Sequence, residues 1–491
     1  MNTRDVFGRE FVPVVTAAEA AAHDRYAHQE CKIPERVLME NAARALALIT
    51  HRLFPNGRIA GVAGKGNNGG DVTIALDTLE SWGREVQRVD DPATDFRTAA
   101  VVLDGVLGTG STGAPRGPAA EMIQAIEQSG VPVIAADLPS GVDPTSGEVH
   151  TPAIHAHATV CFGFPKIGLL RHPGRLQCGR LIVVDIGFPP LPDNQLRAQL
   201  ITPGYARRHL PVRVPGAHKG DSGRLVMLVG SHGMAGAAII SAQAAVHAGA
   251  GLVRIASSAD NRELIQSAVP EATFFGRDGM IDVTGATAIV AGCGIGTSPE
   301  AEQSLKLLLE RTVAVPTLLD ADALNLLALQ EEAIEQLAME RPLVITPHPR
   351  EMSRLMKTEV DEITAFPGYA AQTFADATGA VVLLKGQPSL VAAPRKPMLI
   401  NSVGSSDVAV AGMGDQLSGV IGAMMAAGLP PREAAATGLF FSGRAADLAA
   451  RGRALSPRDV TDRLADAFAQ PGPEQSPLEL PFVTFDQPER W

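Results

Sequence analysis

Short runs of Val, Ile, Leu and Ala alternate with helical stretches along most of this chain, and each run ends in glycine or a polar loop. "RIAGVAG", "AAVVLDG", "VPVIAADLPSG", "ATVCFGF" and "RLIVVDIG" are such runs, and segments such as "GGDVTIALDTLESWG" and "AAEMIQAIEQSG" lie between them. Strands this apolar are buried on both faces, and parallel neighbours can be joined only through long, usually helical, crossovers. The rhythm therefore predicts parallel sheets wrapped by helices, an α/β class. In such sheets ligands bind beyond the carboxyl ends of the strands. That is where the Gly, Asn and Asp residues collect here.

At 491 residues the chain is too long for one ordinary core, and roughly 150 residues per domain gives two to four. The pattern breaks at "GFPPLPDNQ" and "HLPVRVPGAHKGDSG". The Pro- and Gly-rich stretch Leu191 to Gly216 reads as an interdomain linker. It restarts at "GRLVMLVGSHGMAG" and continues through "TAIVAGCGIG", "VPTLLDADALN", "RPLVITPHP" and "AVVLLKGQPSLVAA". The expected domains are residues 1–205 and 206–470. Residues 471–491, proline-rich and acidic, read as a loosely docked tail. A net charge of -11 argues against nucleic acid or an anionic membrane as the main partner. The four cysteines form no CxxC pair and read as reduced thiols in a cytoplasmic protein. No signal core and no bilayer-spanning run is visible.

"GKGNNGGDV" contains Gly64-x-Gly66-x-x-Gly69, the spacing of a dinucleotide loop, and Asp90 follows at about the distance of a ribose contact. Alone that spacing is a weak signal in a chain with 49 glycines. It does not explain Asn67, Asn68 and Asp71, whose amides and carboxylate could serve a polar ligand or a hard cation, or could simply cap a helix. Two further strand ends carry polar groups. Asp104 is followed by a glycine-rich turn from Gly108 to Ala114, and Asp137 is followed by Ser140. Buried carboxylates are costly unless paired, so packing alone does not call for three such ends in one crevice.

"LMENAARAL", "GKGNNGGD", "VLDGVLGTG", "DLPSGVDPTSG" and "FGFPKIGL" resemble, in order, the NAD(P)H-hydrate epimerase domain over roughly residues 10 to 200. The resemblance implies a Rossmann-like fold. It implies a hydrate site lined by Asn67, Asn68, Gly69, Gly70 and Asp71, by Gly108, Thr109, Gly110, Ser111, Thr112, Gly113 and Ala114, and by Asp137. It also implies a potassium ion on Asn68, Asp104 and Ser140. Inversion at C6 of a hydrated nicotinamide needs an acid/base group and no redox cofactor. Asp137 is the first candidate and Lys166 the second, although Lys166 alone would read as an exposed loop lysine. Val72 stands where the family has glycine, and a β-branched residue disfavours positive φ. A weakened site, or a shifted helix start, is the expectation that follows.

In the second half, Gly412-Met413-Gly414-Asp415 precedes a long apolar helix. Amides at such an N-terminus attract anions, and a carboxylate beside them can take a proton from a hydroxyl attacking phosphorus. Asp415 could otherwise be a helix cap. The element resembles the ribokinase-like fold, which fixes a reaction class but no substrate. "AHKGDSGRLVMLVGS", "GMAGAAIISAQAAVHAGAGLVRI", "GCGIG", "LLDADALN", "ITPHPREM" and "LKGQPSLV" resemble, in order, the ADP-dependent NAD(P)H-hydrate dehydratases over about residues 216 to 468. That resemblance implies hydrate contacts at Ala237, Gly294, His348 and Asp415. It implies adenine-nucleotide contacts at Lys385, Gly386, Gln387, Pro388, Ser389 and Gly414, with ADP as co-substrate accompanied by Mg2+. Departures are Cys293 within Gly292-Cys293-Gly294, Arg350 after Pro349, and an irregular "NSVGSSDVAVA".

The combined expectation is a bifunctional repair enzyme acting on hydrated NADH and NADPH, assembled as a homo-oligomer. One alternative is a ribokinase-like small-molecule kinase with a non-catalytic N-terminal module. A redox dehydrogenase is a poorer third, because no hydride-transfer partner is visible.

Overall fold

The computed structural model describes residues 9–487 except 193, 194, 213, 214, 217, 219, 221, 278–280, 331, 474 and 475. Ala217, Lys219 and Asp221 of the "AHKGDSG" motif thus lie outside the described residues. The chain forms two compact units, Met1–Thr202 with Pro473–Trp491, and Pro203–Gly472. The second unit is an insertion in the first.

Strands of the first unit are β1 (Pro13–Val14), β2 (Ile59–Ala63), β3 (Val86–Val89), β4 (Val101–Gly105), β5 (Val133–Ala136), β6 (Ala158–Phe162), β7 (Arg180–Val184) and β8 (Ala198–Ile201). The second unit holds β9 (Arg224–Leu228), β10 (Leu252–Ser257), β11 (Thr273–Gly276), β12 (Ala288–Ala291), β13 (Thr317–Leu319), β14 (Leu343–Ile345), β15 (Val381–Leu384), β16 (Leu390–Ala392) and β17 (Met398–Asn401). β18 (Val483–Gln487) returns to the first unit.

The main sheet of the first unit runs β18-β7-β6-β5-β4-β2-β3 and is parallel except for β18. Consecutive strands depart on opposite sides of β2, so the loops after β2 and β4 open a crevice between them, the usual ligand position in a doubly wound sheet. Helices α1 (Ala17–Gln29), α2 (Glu35–Leu53), α3 (Asn67–Ser81) and α4 (Pro118–Ser129) cover the sheet. A Thr16–Glu19 capping box starts α1. Pro118 starts α4 and Gly130, at φ 67°, ends it.

Within the second unit the order is β17-β16-β15-β14-β13-β12-β9-β10-β11, parallel from β11 to β15 and antiparallel for the last two. Its switch point lies between β9 and β12. The helix Met413–Ala426 packs over this point. A Cβ on Gly422 would sit 2.4 Å from Val290 of β12, and one on Gly419 would sit 2.0 Å from the Ser241 carbonyl in α6 (Ala235–His247). Small residues bring that helix close to the sheet and to its neighbour.

The stretch read as a linker contains β8, which pairs antiparallel with β1, and a short helix α5 (Pro203–His209). Two expectations change. The terminal segment is not a loose arm. Val483 and Phe485 are buried, Leu478 and Leu480 join the same core as Ile182 and Val184, and β18 pairs along β7. Val72 needs no positive φ. It lies in the second turn of α3, fully buried, its Cγ2 2.6 Å from where a Cβ on Gly105 would stand. The side chain fills the gap beside Gly105, and the helix starts at Asn67 regardless.

Candidate functional sites at the strand ends of the two units

In the first unit, Gly64 and Gly69 are dictated by close approach. A Cβ on Gly64 would lie 2.1 Å from the Val106 carbonyl, and one on Gly69 would lie 2.0 Å from the Gly64 carbonyl. Gly66 faces open space and caps α3. The loop between β2 and α3 thus folds tightly on itself and on β4. It turns Asn68 inward, where its amide donates to the Ala136 carbonyl at 2.6 Å.

Asn67, Asn68, Asp71, Thr109, Asp137 and Lys166 line one cavity of about 220 Å³. Asp137 sits in the left-handed region at φ 69°. Its Oδ1 accepts from the Phe162 amide at 2.9 Å and from Lys166 Nζ at 2.5 Å. A strained backbone held by buried partners is the kind of feature that concentrates at working sites. Lys166 is buried, contrary to its reading as an exposed loop lysine. Burial, then the Asp137 charge, pushes the Asp71 carboxyl up to about 8, with Lys166 opposing. A proton-bearing carboxyl and an ion-paired carboxylate therefore share one cavity at neutral pH.

Behind them, Asp104 is completely buried. It accepts from the Val106 amide at 3.1 Å, the Ser140 amide at 2.8 Å and the Ser140 hydroxyl at 2.7 Å. Burial raises its carboxyl to about 6 against those bonds. Gly110, Thr112, Gly113 and Ala114 lie in an exposed stretch of loop that is not part of the cavity wall, and Gly108 packs on the Asn68 side chain. Asp90 is exposed and also lies away from that wall.

The cavity has walls that the motifs did not disclose. Asp24, Arg25 and His28 come from α1, and Phe164 and Phe188 stack with ring centroids 5.5 Å apart. Burial raises the Asp24 carboxyl as well. Nothing in "AAHDRYAH" separates Asp24 from an ordinary exposed helix residue.

In the second unit, Gly412 occupies the left-handed region at φ 84° and starts the helix Met413–Ala426. Asp415 lies in its first turn, and burial, then the neighbouring Asp320 charge, raises its carboxyl to about 6. The nearby Cys293 thiol is pushed far up, by burial first and then by the Asp415 and Asp320 charges. Gly294 carries the loop after β12 against α6, where a Cβ would meet Ala237 at 2.8 Å.

Across the crevice, Lys385 follows β15, and its Nζ donates to Asp320 Oδ1 at 2.8 Å. A Cβ on Gly414 would stand 3.4 Å from that ammonium. Burial works against the Lys385 charge, yet Asp320 and Glu351 hold its pKa above the usual lysine range. His348 caps the helix Pro349–Met356. Its Nδ1 accepts from the amides of Arg350 and Glu351 at 3.1 and 3.2 Å. Nδ1 is thus an acceptor, and Nε2, 3.3 Å from Glu351 Oε1, carries the proton. Burial keeps the ring below the usual histidine range. Gly386 and Ser389 close the turn between β15 and β16 by mutual hydrogen bonds of 3.1 and 3.0 Å. The second site therefore pairs a carboxylate base with a cation at a helix N-terminus, an arrangement suited to phosphoryl transfer.

Comparison with known proteins agrees with both halves. The NAD(P)H-hydrate dehydratase family model matches residues 225–468, and the YjeF-related protein N-terminus model matches residues 74–168. The bifunctional NAD(P)H-hydrate repair enzyme Nnr of Moorella thermoacetica is 36% identical over 509 residues, covering 92% of this chain and 96% of that protein. The chain belongs to the bifunctional NAD(P)H-hydrate repair enzyme family. The Escherichia coli member is 33% identical and covers 84% of this chain and 85% of its own. A ribokinase-like superfamily protein of Enterococcus faecalis superposes on 56% of this chain and 96% of its own, with a TM-score of 0.50 and 22% identity, which shows the fold. The repair-enzyme relatives span both units, so a lone kinase with an unrelated appendage is not favoured.

Proposed function

We propose that the first unit interconverts the R and S hydrates of NADH and NADPH, and that the second dehydrates the S form at the expense of ADP. The observation that carries the second reading is Asp415 in the first turn of a helix whose Gly414 stands beside the Lys385 ammonium. With its carboxyl titrating at about 6, Asp415 is ionised at neutral pH and still basic enough to accept a proton. It takes the proton of the C6 hydroxyl as that oxygen attacks the β-phosphorus of ADP. The oxygen–phosphorus bond forms, the bond to the bridging oxygen breaks, and AMP departs. The ring nitrogen then expels phosphate from C6, and loss of a C5 proton restores the reduced nicotinamide. Phosphate leaves far more readily than hydroxide, which is the reason to run a dehydration on a kinase scaffold. Mg2+ would accompany the nucleotide and offset the charge of its phosphates. Lys385, Gly386, Gln387, Pro388, Ser389 and Gly414 are assigned to ADP, and Ala237, Gly294, His348 and Asp415 to the hydrate.

In the first unit, Asp137 and Lys166 are assigned the proton movements at the hemiaminal, and Asn67 to Asp71 with Thr109 the binding of the ring. The site residues fit a potassium ion. Asn68, Asp104 and Ser140 offer hard oxygen donors, and the Asp104 carboxylate is fully buried. A monovalent cation there would balance that charge and fix the Asn68 loop.

Mixing the chain with ADP and an NADPH hydrate, and following the absorbance of the reduced nicotinamide, tests the reading. Recovery of NADPH is the expected result. No recovery with ADP or ATP would sink the dehydratase assignment.

A further inference from the structure

We propose that Asp320 is a positioning residue for the phosphoryl transfer: its carboxylate fixes the Lys385 ammonium beside Gly414. This rests on the dehydratase reading of the second unit and adds a residue that carries no role in it so far.

Asp320 follows β13 directly and is 1% exposed. Each of its oxygens is committed. Oδ1 accepts from Lys385 Nζ at 2.8 Å and from the Ala321 amide at 2.8 Å, and Oδ2 accepts from the Ser418 hydroxyl at 2.7 Å. Ser418 is on the same helix as Gly414 and Asp415, one turn further on. The carboxylate therefore ties together β13, the end of β15 and the helix that presents the anion-attracting amides. A Cβ on Gly414 would lie 3.6 Å from Oδ2 and 3.4 Å from Lys385 Nζ, so the pair is directly beneath the Gly414 backbone.

The backbone around Asp320 is held in place at a cost. Ala321 takes φ 50°, a conformation an L residue adopts only when its surroundings impose it. Gly292, at φ 129°, lies so close that a Cβ there would stand 1.8 Å from the Asp320 carbonyl. The Asp320 amide donates to Ala291 at 3.1 Å. A charged side chain bonded through charge-assisted contacts on a backbone this constrained has one available position.

Two consequences follow for the reaction. First, the Lys385 ammonium is held by Asp320, with Glu351 Oε2 4.0 Å away, so it does not swing out when the site is empty. It meets the β-phosphoryl oxygens already placed, as electrostatic preorganisation requires. Second, burial and then the Asp320 charge raise the Asp415 carboxyl, with the Cys293 thiol and Lys385 opposing them. Removing the Asp320 charge takes away the larger of the two negative influences, and Asp415 becomes a weaker base.

The test compares wild type, Asp320→Asn and Asp320→Glu in the ADP-dependent recovery of NADPH from its S hydrate, each across pH 5 to 9. Wild type that recovers nothing defeats the dehydratase reading itself and is distinguishable from failure of this inference. With an active wild type, Asp320→Asn is expected to raise the KM for ADP roughly ten- to a hundredfold. It should also move the acid limb of the rate profile to lower pH by on the order of one unit. Asp320→Glu keeps the charge but displaces the anchor, so it should raise the KM for ADP while leaving the acid limb near its wild-type position. A purely structural role would lower thermal stability and the active fraction, with the acid limb and the KM of the folded fraction unmoved; that result would overturn the proposal. Should Asp320→Asn fail to fold, a wild-type KM for ADP in Asp320→Glu overturns it equally.

Discussion

The two sites use the same device at the scale of single residues: a carboxylate at a strand end, buried and held by specific donors. Asp104 lies near the end of its apolar strand, in "VVLD", and Asp137 and Asp320 directly follow theirs, in "IAAD" and "TLLD". The first two stood out in the sequence because glycine and serine surround them. Asp320 did not, because "DADALN" offers two carboxylates at equal standing and only the hydrogen bonds to Lys385 and Ser418 single out one. Asp24 had no signal at all, since nothing in a helix period tells which polar face looks into a cavity.

Asp71 gives a prediction with a definite sign. Its folded pKa of about 8 is far above the 3.8 of an ordinary aspartate. The folded state therefore holds a proton that the unfolded chain releases, and stability falls as pH rises between those values. Asp104, at about 6, has finished titrating well before pH 8. Amide hydrogen exchange in α3 should thus show less protection at pH 9 than at pH 7, and Asp71→Asn should flatten that difference. An equal slope in the variant would contradict the protonated state assigned to Asp71.

Val72 illustrates a residue whose identity was legible and whose consequence was not. Its type suggested a strained loop, whereas the helix starts five residues earlier and Val72 is core. Val72→Gly should cost about 2–4 kcal/mol in the unfolding of the first unit, from helix propensity and from the space vacated against Gly105. It should not accelerate exchange of the R and S hydrates. Chemical denaturation with an epimerisation assay on the same variant checks both; a faster, equally stable variant would restore the idea of a weakened loop.

Among elements, the parallel strands were legible because strands buried on both faces are continuous apolar runs. The closing strand β18 was hidden by composition. Proline and acidic residues surround it, yet Val483, Thr484 and Phe485 of "VTFD" are all buried. Asp486 completes the edge through two hydrogen bonds to Arg180, at 2.8 and 2.6 Å. Proline and charge in the neighbourhood of an edge strand limit its pairing with other chains. Ending the chain after Gly472 should therefore expose β7 and part of the core. The epimerising unit is expected to lose stability and aggregate, measured by light scattering and hydrate exchange, while ADP-dependent recovery from pure S hydrate persists. Unchanged solubility and exchange would show that the strand is dispensable. Asp486→Ala should cost about 1–3 kcal/mol of first-unit stability on its own, because Arg180 is half-buried and loses its charged partner.

For the whole molecule, two separately packed cores carry two chemistries whose logic is joined by the substrate. Hydration of a reduced nicotinamide gives both epimers, and a phosphorylating site shaped for one needs a partner to supply it. The family resemblance was legible from ordered motifs along both halves. The interruption of the first unit by the second was not, because insertion leaves no local mark beyond a proline-rich junction. The most direct measurement of the central claim is recovery of NADPH from purified R hydrate with ADP, by wild type, Asp137→Asn and Asp415→Asn. Wild type should recover it fully. Asp137→Asn should fall to the rate of spontaneous epimerisation on R hydrate while retaining wild-type recovery from S hydrate. Asp415→Asn should recover neither, at rates lower by a factor of at least about a thousand, while still exchanging the epimers. Undiminished recovery from R hydrate in Asp137→Asn, or from S hydrate in Asp415→Asn, would contradict the division of labour between the two sites.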